Sequence, residues 1–233
     1  MLRTVIFDFD GVITDSEILH FRAFNQVLGQ YGIELTKQEY YKTYLGFNDA
    51  DCYGKLIDQG LLKAGQDQIS NLIEKKKHIY KELAKTEGKM IEGVRDFLTL
   101  LEDNSIPMAI CSGSLLTEVE MVLEDTGLRH LFEVIVSGEQ VKKGKPDPEG
   151  FLLTLERLND NATSDQAGNQ NHILPGECIV IEDSHWGLEA AKTAGMHTIA
   201  VTNSYGAEQL GMAEKVVNQL DELGIDDLQQ LCS

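Results

Sequence analysis

The sequence predicts an α/β protein, a doubly wound parallel sheet with a block of helices inserted after its first strand. Three observations lead there. From about residue 93 onward, short apolar runs alternate with stretches of helical period, and strands separated by helices pair in parallel with helices on both faces. One further apolar run stands at the N-terminus, cut off from the others by residues 16–87, where helical patterns follow one another without a strand signal. That intervening segment also differs in charge. It holds ten Lys and Arg and ten Asp and Glu, so the whole net charge of −18 falls on the rest of the chain. Residues 1–15 and 88–233 are therefore read as one discontinuous core domain, and 16–87 as a helical domain inserted into it.

Each element has its own signal. Residues 3–9 (RTVIFDF) are apolar, β-branched and aromatic, the pattern of a buried strand. Between Ser16 and Tyr31, the residues Phe21, Phe24, Leu28 and Tyr31 step by 3, 4 and 3, which is one face of a helix. Ile69, Leu72, Ile73, Tyr80 and Leu83 mark another helix before residue 87. A helix near 93–104 then leads to a strand at 107–111 (PMAIC), and one near 115–126 to a strand at 133–136 (EVIV). A helix near 149–158 leads to 178–181 (CIVI), one near 185–194 to 197–201 (HTIAV), and a last strand is expected at 215–217. The stretch 159–176 (NDNATSDQAGNQNHILPG) is polar and aperiodic and reads as a surface loop. No internal repeat is found.

Composition narrows the function classes. Apolar residues make up 42% of the 233 and aromatics 7%, enough for a substantial core. No run of 18 or more apolar residues occurs, so no transmembrane helix and no membrane partner is expected. The acidic balance argues against nucleic acid, because phosphate contacts need clustered Lys and Arg. Cys52, Cys111, Cys178 and Cys232 are far apart, form no CxxC pair, and read as small core residues in a reducing compartment. The first strand begins at Thr4, which leaves no room for a signal peptide. The expected location is the cytoplasm, or an organelle if a transit peptide has been removed, and the expected state is a monomer or weak homodimer.

In open parallel sheets ligands bind at the carboxyl ends of the strands, near the switch in strand order. The first strand delivers Asp8, Asp10 and Gly11 there, the second Ser112, Gly113 and Ser114. The loop after the third delivers Lys142, Lys143 and Lys145, and the fourth strand delivers Glu182, Asp183 and Ser184. Taken singly, an Asp at a strand end is a commonplace turn or cap residue. Four carboxylates together with serine hydroxyls and lysine from successive strands are harder to dismiss. Crowded carboxylates need compensation, and hard oxygen donors without a His or Cys cluster point to Mg²⁺. Asp8 and Asp10, two residues apart at a strand end, can reach the same ligand, one as nucleophile and metal ligand and the other handling a proton. Ser112, with the N–H groups of Gly113 and Ser114 where a strand opens into a helix, suits phosphate oxygens.

These motifs resemble a known family. DFDGVITDS at 8–16, SGS at 112–114, KGKPDPEGF at 143–151 and IEDSHWGLEAAKTAGM at 181–196 are similar, in order, to the four signatures of the haloacid dehalogenase superfamily of phosphotransferases. The resemblance covers nearly the whole chain. It is nearest the β-phosphoglucomutase-like and phosphoglycolate-phosphatase-like branch, whose members carry a helical cap after the first motif, and it implies a Rossmann-like core with 16–87 as that cap. It implies Asp8 as nucleophile and Mg²⁺ ligand, and Asp10 as general acid then base, binding metal through its backbone carbonyl. Asp183 with Glu182 would complete the protein ligands, and Ser112 and Lys145 would hold the phosphoryl oxygens. A true dehalogenase is disfavoured, because Asp10 fits phosphate chemistry.

The resemblance further implies that the cap selects the substrate. His20 lies where β-phosphoglucomutases have a histidine that helps position the acid/base Asp. The segment from Leu45 through Asn48 to Asp49 resembles the substrate-reading loop, with Asn48 at the leaving group. Asp49 stands where the mutases carry a phosphate-binding arginine, and Glu92 replaces a usual Pro. The expectation is a Mg²⁺-dependent phosphatase acting on a small phosphorylated metabolite, of sugar-phosphate or phosphoglycolate type, through an aspartyl-phosphate. The alternatives are a phosphosugar mutase of the β-phosphoglucomutase type, a phospho-receiver domain, and an inactive scaffold. Receivers are about half as long and lack the helical insertion.

Overall fold

The computed structural model describes residues 1–44, 47, 49–87, 90–163 and 172–233. In chain order the main elements are β1 (Thr4–Phe7), α1 (Glu17–Gly29), α2 (Lys37–Thr43), α3 (Asp49–Asp58), α4 (Ile69–Glu87), α5 (Val94–Asp103), β2 (Met108–Cys111), α6 (Leu116–Thr126) and β3 (Phe132–Val136). They continue with α7 (Glu149–Thr163), β4 (Cys178–Glu182), α8 (His185–Thr193), β5 (His197–Val201), β6 (Lys215–Val217) and α9 (Ile225–Leu231). Two compact units result, Met1–Asp15 with Lys89–Ser233, and Ser16–Gly88. Among the described residues no helix is long and apolar enough to cross a membrane.

The larger unit is the sheet. Its strand order is β3-β2-β1-β4-β5-β6 and every pairing is parallel. Side chains along a strand alternate between two buried faces. Val5 and Phe7, Ile110, Ile179 and Ile181 point to a core closed by Phe97 and Leu101 of α5, Val119 and Leu123 of α6 and Leu228 of α9. Ile6, Ala109, Cys111, Cys178 and Val180 point to the opposite core, closed by Phe151 and Leu155 of α7 and Ala190 and Ala191 of α8. Burial on both faces is why these strands read as continuous apolar runs. The chain winds outward from β1 through β2 to β3, then returns to place β4 on the other side of β1. The switch in strand order therefore lies between β1 and β4, and all strands end on one edge.

Among the described residues of the smaller unit the regular elements are all helices, joined by turns, around an aromatic core. Phe24 of α1 packs on Tyr40, Tyr44 and Tyr53, its ring centroid 4.8 Å from that of Tyr53, and Leu56 and Leu72 complete the cluster. Asn25 closes the turn after α1, donating to the Leu35 carbonyl at 2.7 Å and accepting from its N–H at 3.0 Å. Thr36 and Glu39 cap the start of α2 reciprocally.

Two expectations need correction. The polar stretch at 159–176 is not a loop throughout, because α7 runs on to Thr163. Asn159 is buried and binds both backbone groups of Ile173, so its polar atoms are satisfied inside the fold. Residues 164–171 of that stretch lie outside the described residues. The other correction is α9, absent from the expected elements, whose Leu228 joins the core.

Candidate active site

The carboxyl edge of the sheet gathers the strand-end residues. Asp8 follows β1 directly, and its N–H donates to the Ile181 carbonyl at 2.9 Å, which extends the β1–β4 ladder to the site. The chain then turns through Phe9–Thr14, with the Phe9 carbonyl accepting from Ile13 and Thr14. Gly11 has φ +80°, and a Cβ on it would fall 1.7 Å from an Asp183 carboxylate oxygen, so only glycine fits this turn.

Asp8, Glu182 and Asp183 are buried, and each offers an oxygen within 4.8 Å of the others. Lys145 enters this cluster. Its Nζ donates to an Asp8 oxygen, to Glu182 Oε1 at 2.6 Å and to the Cys111 carbonyl at 3.1 Å. Lys142 and Lys143 are exposed, and their N–H groups bind the Glu149 carboxylate, which ties the loop to the start of α7. Glu182 Oε2 accepts from the N–H groups of Asp183 and Ser184 and from the Ser184 hydroxyl. Ser184 also caps α8, accepting from Gly187. A Cβ on Gly187 would overlap the Glu182 carboxylate at 1.6 Å, so glycine at that position lets α8 approach the site.

Ser112 is buried, with its N–H on the Val136 carbonyl and its Oγ accepting from the Ser114 N–H at 2.9 Å. The Ser114 hydroxyl donates to Asp10 Oδ2, and Asp10 is half-buried. Because the first residue of α6 is Leu116, the 112–114 turn precedes the helix and does not form its first turn. The Ser114 N–H is turned onto Ser112 Oγ. A Cβ on Gly113 would meet no atom within 4 Å, whereas one on Gly138 would fall 2.3 Å from the Gly113 carbonyl oxygen, so the two backbones pack closely.

Burial and neighbouring charges together set the electrostatics. Burial pushes the Asp8 carboxyl up to about 7; Lys145 opposes this, and the charges of Glu182 and Asp10 add to it. Burial, then Glu182 and Asp8, hold Asp183 well above the usual carboxylate range, against the Ser204 hydrogen bond and Lys145. Burial opposes the Lys145 ammonium, but Asp8 and Glu182 outweigh it and raise its pKa well above the ordinary value. The cluster thus carries more negative charge than Lys145 balances. A hard divalent cation fits this all-oxygen donor set.

Two residues that sequence reasoning missed also belong to this edge. Asn203 and Ser204 follow β5. The Asn203 side chain donates to the Gly11 carbonyl at 2.8 Å, and the Ser204 hydroxyl donates to Asp183 Oδ2. Their signal was positional, because a fifth parallel strand must also end on the ligand edge.

The smaller unit holds the other singled-out residues. His20 stacks on Tyr80 with centroids 4.1 Å apart, and its Nδ1 lies 3.2 Å from Lys76 Nζ. Burial first, then Lys76, hold the imidazole well below its usual pKa, so it is neutral. Asp49, in the first turn of α3, forms an ion pair with the buried Lys76. Asn48, with Leu45 and Gly46, lies outside the described residues.

Residues 5–201 match the haloacid dehalogenase-like hydrolase family. The chain belongs to this family. Among relatives of this haloacid dehalogenase-like hydrolase, a phosphorylated carbohydrates phosphatase of Thermotoga maritima is 33% identical, with 95% of this chain and 100% of that protein aligned. Fructose-1-phosphate phosphatase YqaB of Escherichia coli is 29% identical over 84% of this chain and 95% of its own. The β-phosphoglucomutase of Bacillus subtilis is 27% identical over 98% of this chain and 95% of its own. Among solved structures, CbbY of Rhodobacter sphaeroides in complex with phosphate has a TM-score of 0.81 at 24% identity, covering 98% of this chain and 100% of that one. That likeness concerns the haloacid dehalogenase-like fold.

Proposed function

We propose that this hydrolase removes phosphate from a small phosphorylated carbohydrate, with Asp8 as the nucleophile, Asp10 as the proton carrier and Mg²⁺ as the cofactor. The class itself, a phosphoric monoester hydrolase, rests on the family and on phosphatase relatives aligned over most of the chain. The observation that carries the rest is the buried meeting of Asp8, Glu182 and Asp183 with Lys145 at the switch point.

In this reading one Asp8 oxygen attacks phosphorus and the bond to the leaving oxygen breaks, giving an aspartyl-phosphate. Asp10 gives its proton to the leaving oxygen, then takes one from the water that attacks the phosphorus and frees Asp8. The Ser114 hydroxyl on Oδ2 fixes the plane of the Asp10 carboxyl for both transfers. Lys145 and Ser112 hold phosphoryl oxygens. Asp8, Asp183 and the backbone carbonyl of Asp10 would hold the Mg²⁺. When bound, it would offset charge on the transferring group. Residues 16–87 would act as the cap that selects the substrate, with His20 and Asn48 in that role.

Hydrolysis is favoured over a mutase reaction by the Asp49–Lys76 pair. A mutase must grip a bisphosphate at both ends, and Lys76, a buried cation of the helical unit, is already neutralised by Asp49. Inorganic phosphate release would be measured on sugar phosphates, phosphoglycolate and nucleotides, with Mg²⁺ and with chelator. Release from sugar phosphates that stops in chelator and returns with Mg²⁺ is expected. Full turnover in chelator would remove the metal from the mechanism.

A further inference from the structure

We infer that Asn203 and Ser204, in the loop after β5, are positioning residues that set the affinity of the carboxylate site for its divalent cation. This rests on the reading that Asp183 and the Asp8–Asp10 segment hold the cation.

Three chain segments converge there. The Ser204 hydroxyl donates to Asp183 Oδ2, the Asn203 amide donates to the Gly11 carbonyl, and a Cβ on Gly11 would come within 2.9 Å of Ser204 Oγ. The β5 loop therefore clamps the turn that carries Asp10 and the carboxylate of Asp183 at once. The clamp is itself anchored. Thr202 donates its N–H to the Val217 carbonyl and its hydroxyl to Asn218 Oδ1, which fixes the loop to the end of β6.

A carboxylate with one oxygen held by a hydroxyl cannot rotate without breaking that bond, so its second oxygen stays in one plane. A ligand oriented before the cation arrives loses less freedom on binding. Neither residue needs to touch substrate or metal to have this effect. Ser204 is half-buried in a loop, so trimming its hydroxyl leaves no large cavity. Its loss acts on geometry at Asp183 more than on the fold.

Mg²⁺ binding to the full chain would be measured by calorimetry for the wild type, Ser204→Ala, Ser204→Thr and Asn203→Ala, with thermal unfolding in chelator as the fold control. Ser204→Ala is expected to raise the Mg²⁺ dissociation constant roughly 10- to 100-fold, the usual effect of losing a ligand's hydrogen-bond partner. Asn203→Ala should raise it less, Ser204→Thr should restore most of the loss, and unfolding in chelator should be unchanged. In turnover, the Mg²⁺ needed for half-maximal rate should rise while the rate at saturating Mg²⁺ is largely kept. Wild-type Mg²⁺ affinity in Ser204→Ala, or equal weakening in the Thr variant, would overturn the inference and leave the proposed function standing. No Mg²⁺ binding by the wild type would overturn the metal reading itself.

Discussion

Lys145 Nζ donates to Glu182 Oε1 at 2.6 Å, and the other Glu182 oxygen takes three further hydrogen bonds from Asp183 and Ser184. Both oxygens of a carboxylate at the switch point are thus committed to protein partners. Glu182 in this arrangement holds Lys145 beside Asp8 and shapes the turn that presents Asp183. Glu182→Gln keeps the shape but places an NH₂ group where one of these donors sits. Losing a hydrogen bond to a charged group costs about 1.5–3 kcal/mol, so phosphate release should fall roughly 10- to 100-fold. Mg²⁺ affinity, read by calorimetry, should fall much less than in Asp183→Asn. Equal losses of affinity in both variants would make Glu182 a direct ligand.

Asp8 and Asp10 should separate by the size of their effects. Asp8→Asn cannot attack phosphorus, so turnover should vanish while the protein still folds. Asp10→Asn keeps its backbone carbonyl and should slow the reaction by roughly 10²- to 10⁴-fold, the scale of a lost general acid/base. Rapid-quench phosphate release in each variant would decide. More than a trace of wild-type rate in Asp8→Asn would remove it as the nucleophile.

Burial of Asp8, with the carboxylates around it, predicts how the metal-free fold responds to pH. The Asp8 carboxyl titrates near 7 in the fold, against about 4 for an unfolded carboxylate. Between these values the folded state keeps a proton that the unfolded state has lost. Its contribution is fully present below about pH 4 and is lost as pH rises through about 7. His20, in the other unit, acts oppositely, because its depressed pKa gives stability present above about 6.5 and lost as pH falls. Asp8→Asn isolates the first effect. Thermal melts in chelator should show this variant gaining on the wild type as pH goes from 5 to 8, with Mg²⁺ closing the gap. A difference independent of pH would contradict the assignment.

How far the sequence showed this site depends on what each residue's neighbours looked like. Asp8, Ser112, Glu182 and Asp183 stand directly after apolar runs, and a parallel sheet ends all such runs on one edge, so their meeting follows from topology. Asn203 and Ser204 stand in an ordinary polar loop, and their partners are Gly11 and Asp183, far away in sequence. No local pattern encodes such a contact. Asn159 misled for a related reason. Its polarity signals a loop, but two hydrogen bonds to Ile173 make burial acceptable and let α7 continue.

The Asp49–Lys76 ion pair bears on hydrolysis against mutase activity. Lys76 is 5% exposed, with Asp49 as its ion-pair partner and a neutral His20 beside it. Asp49→Ala would strand a buried ammonium. Breaking a buried pair costs about 3–5 kcal/mol, and partial exposure of Asp49 lowers this to roughly 2. Asp49→Arg would set two cations side by side, so it should destabilise the helical unit before it improves bisphosphate binding. Pairing it with Lys76→Met relieves the repulsion and should recover most of the lost melting temperature. The wild type should release inorganic phosphate and give no useful conversion of β-glucose 1-phosphate to glucose 6-phosphate. Isomerisation faster than hydrolysis would overturn this reading of the helical unit while leaving the carboxylate site intact. An unchanged melting temperature in Asp49→Ala would show that the pair contributes nothing to the fold.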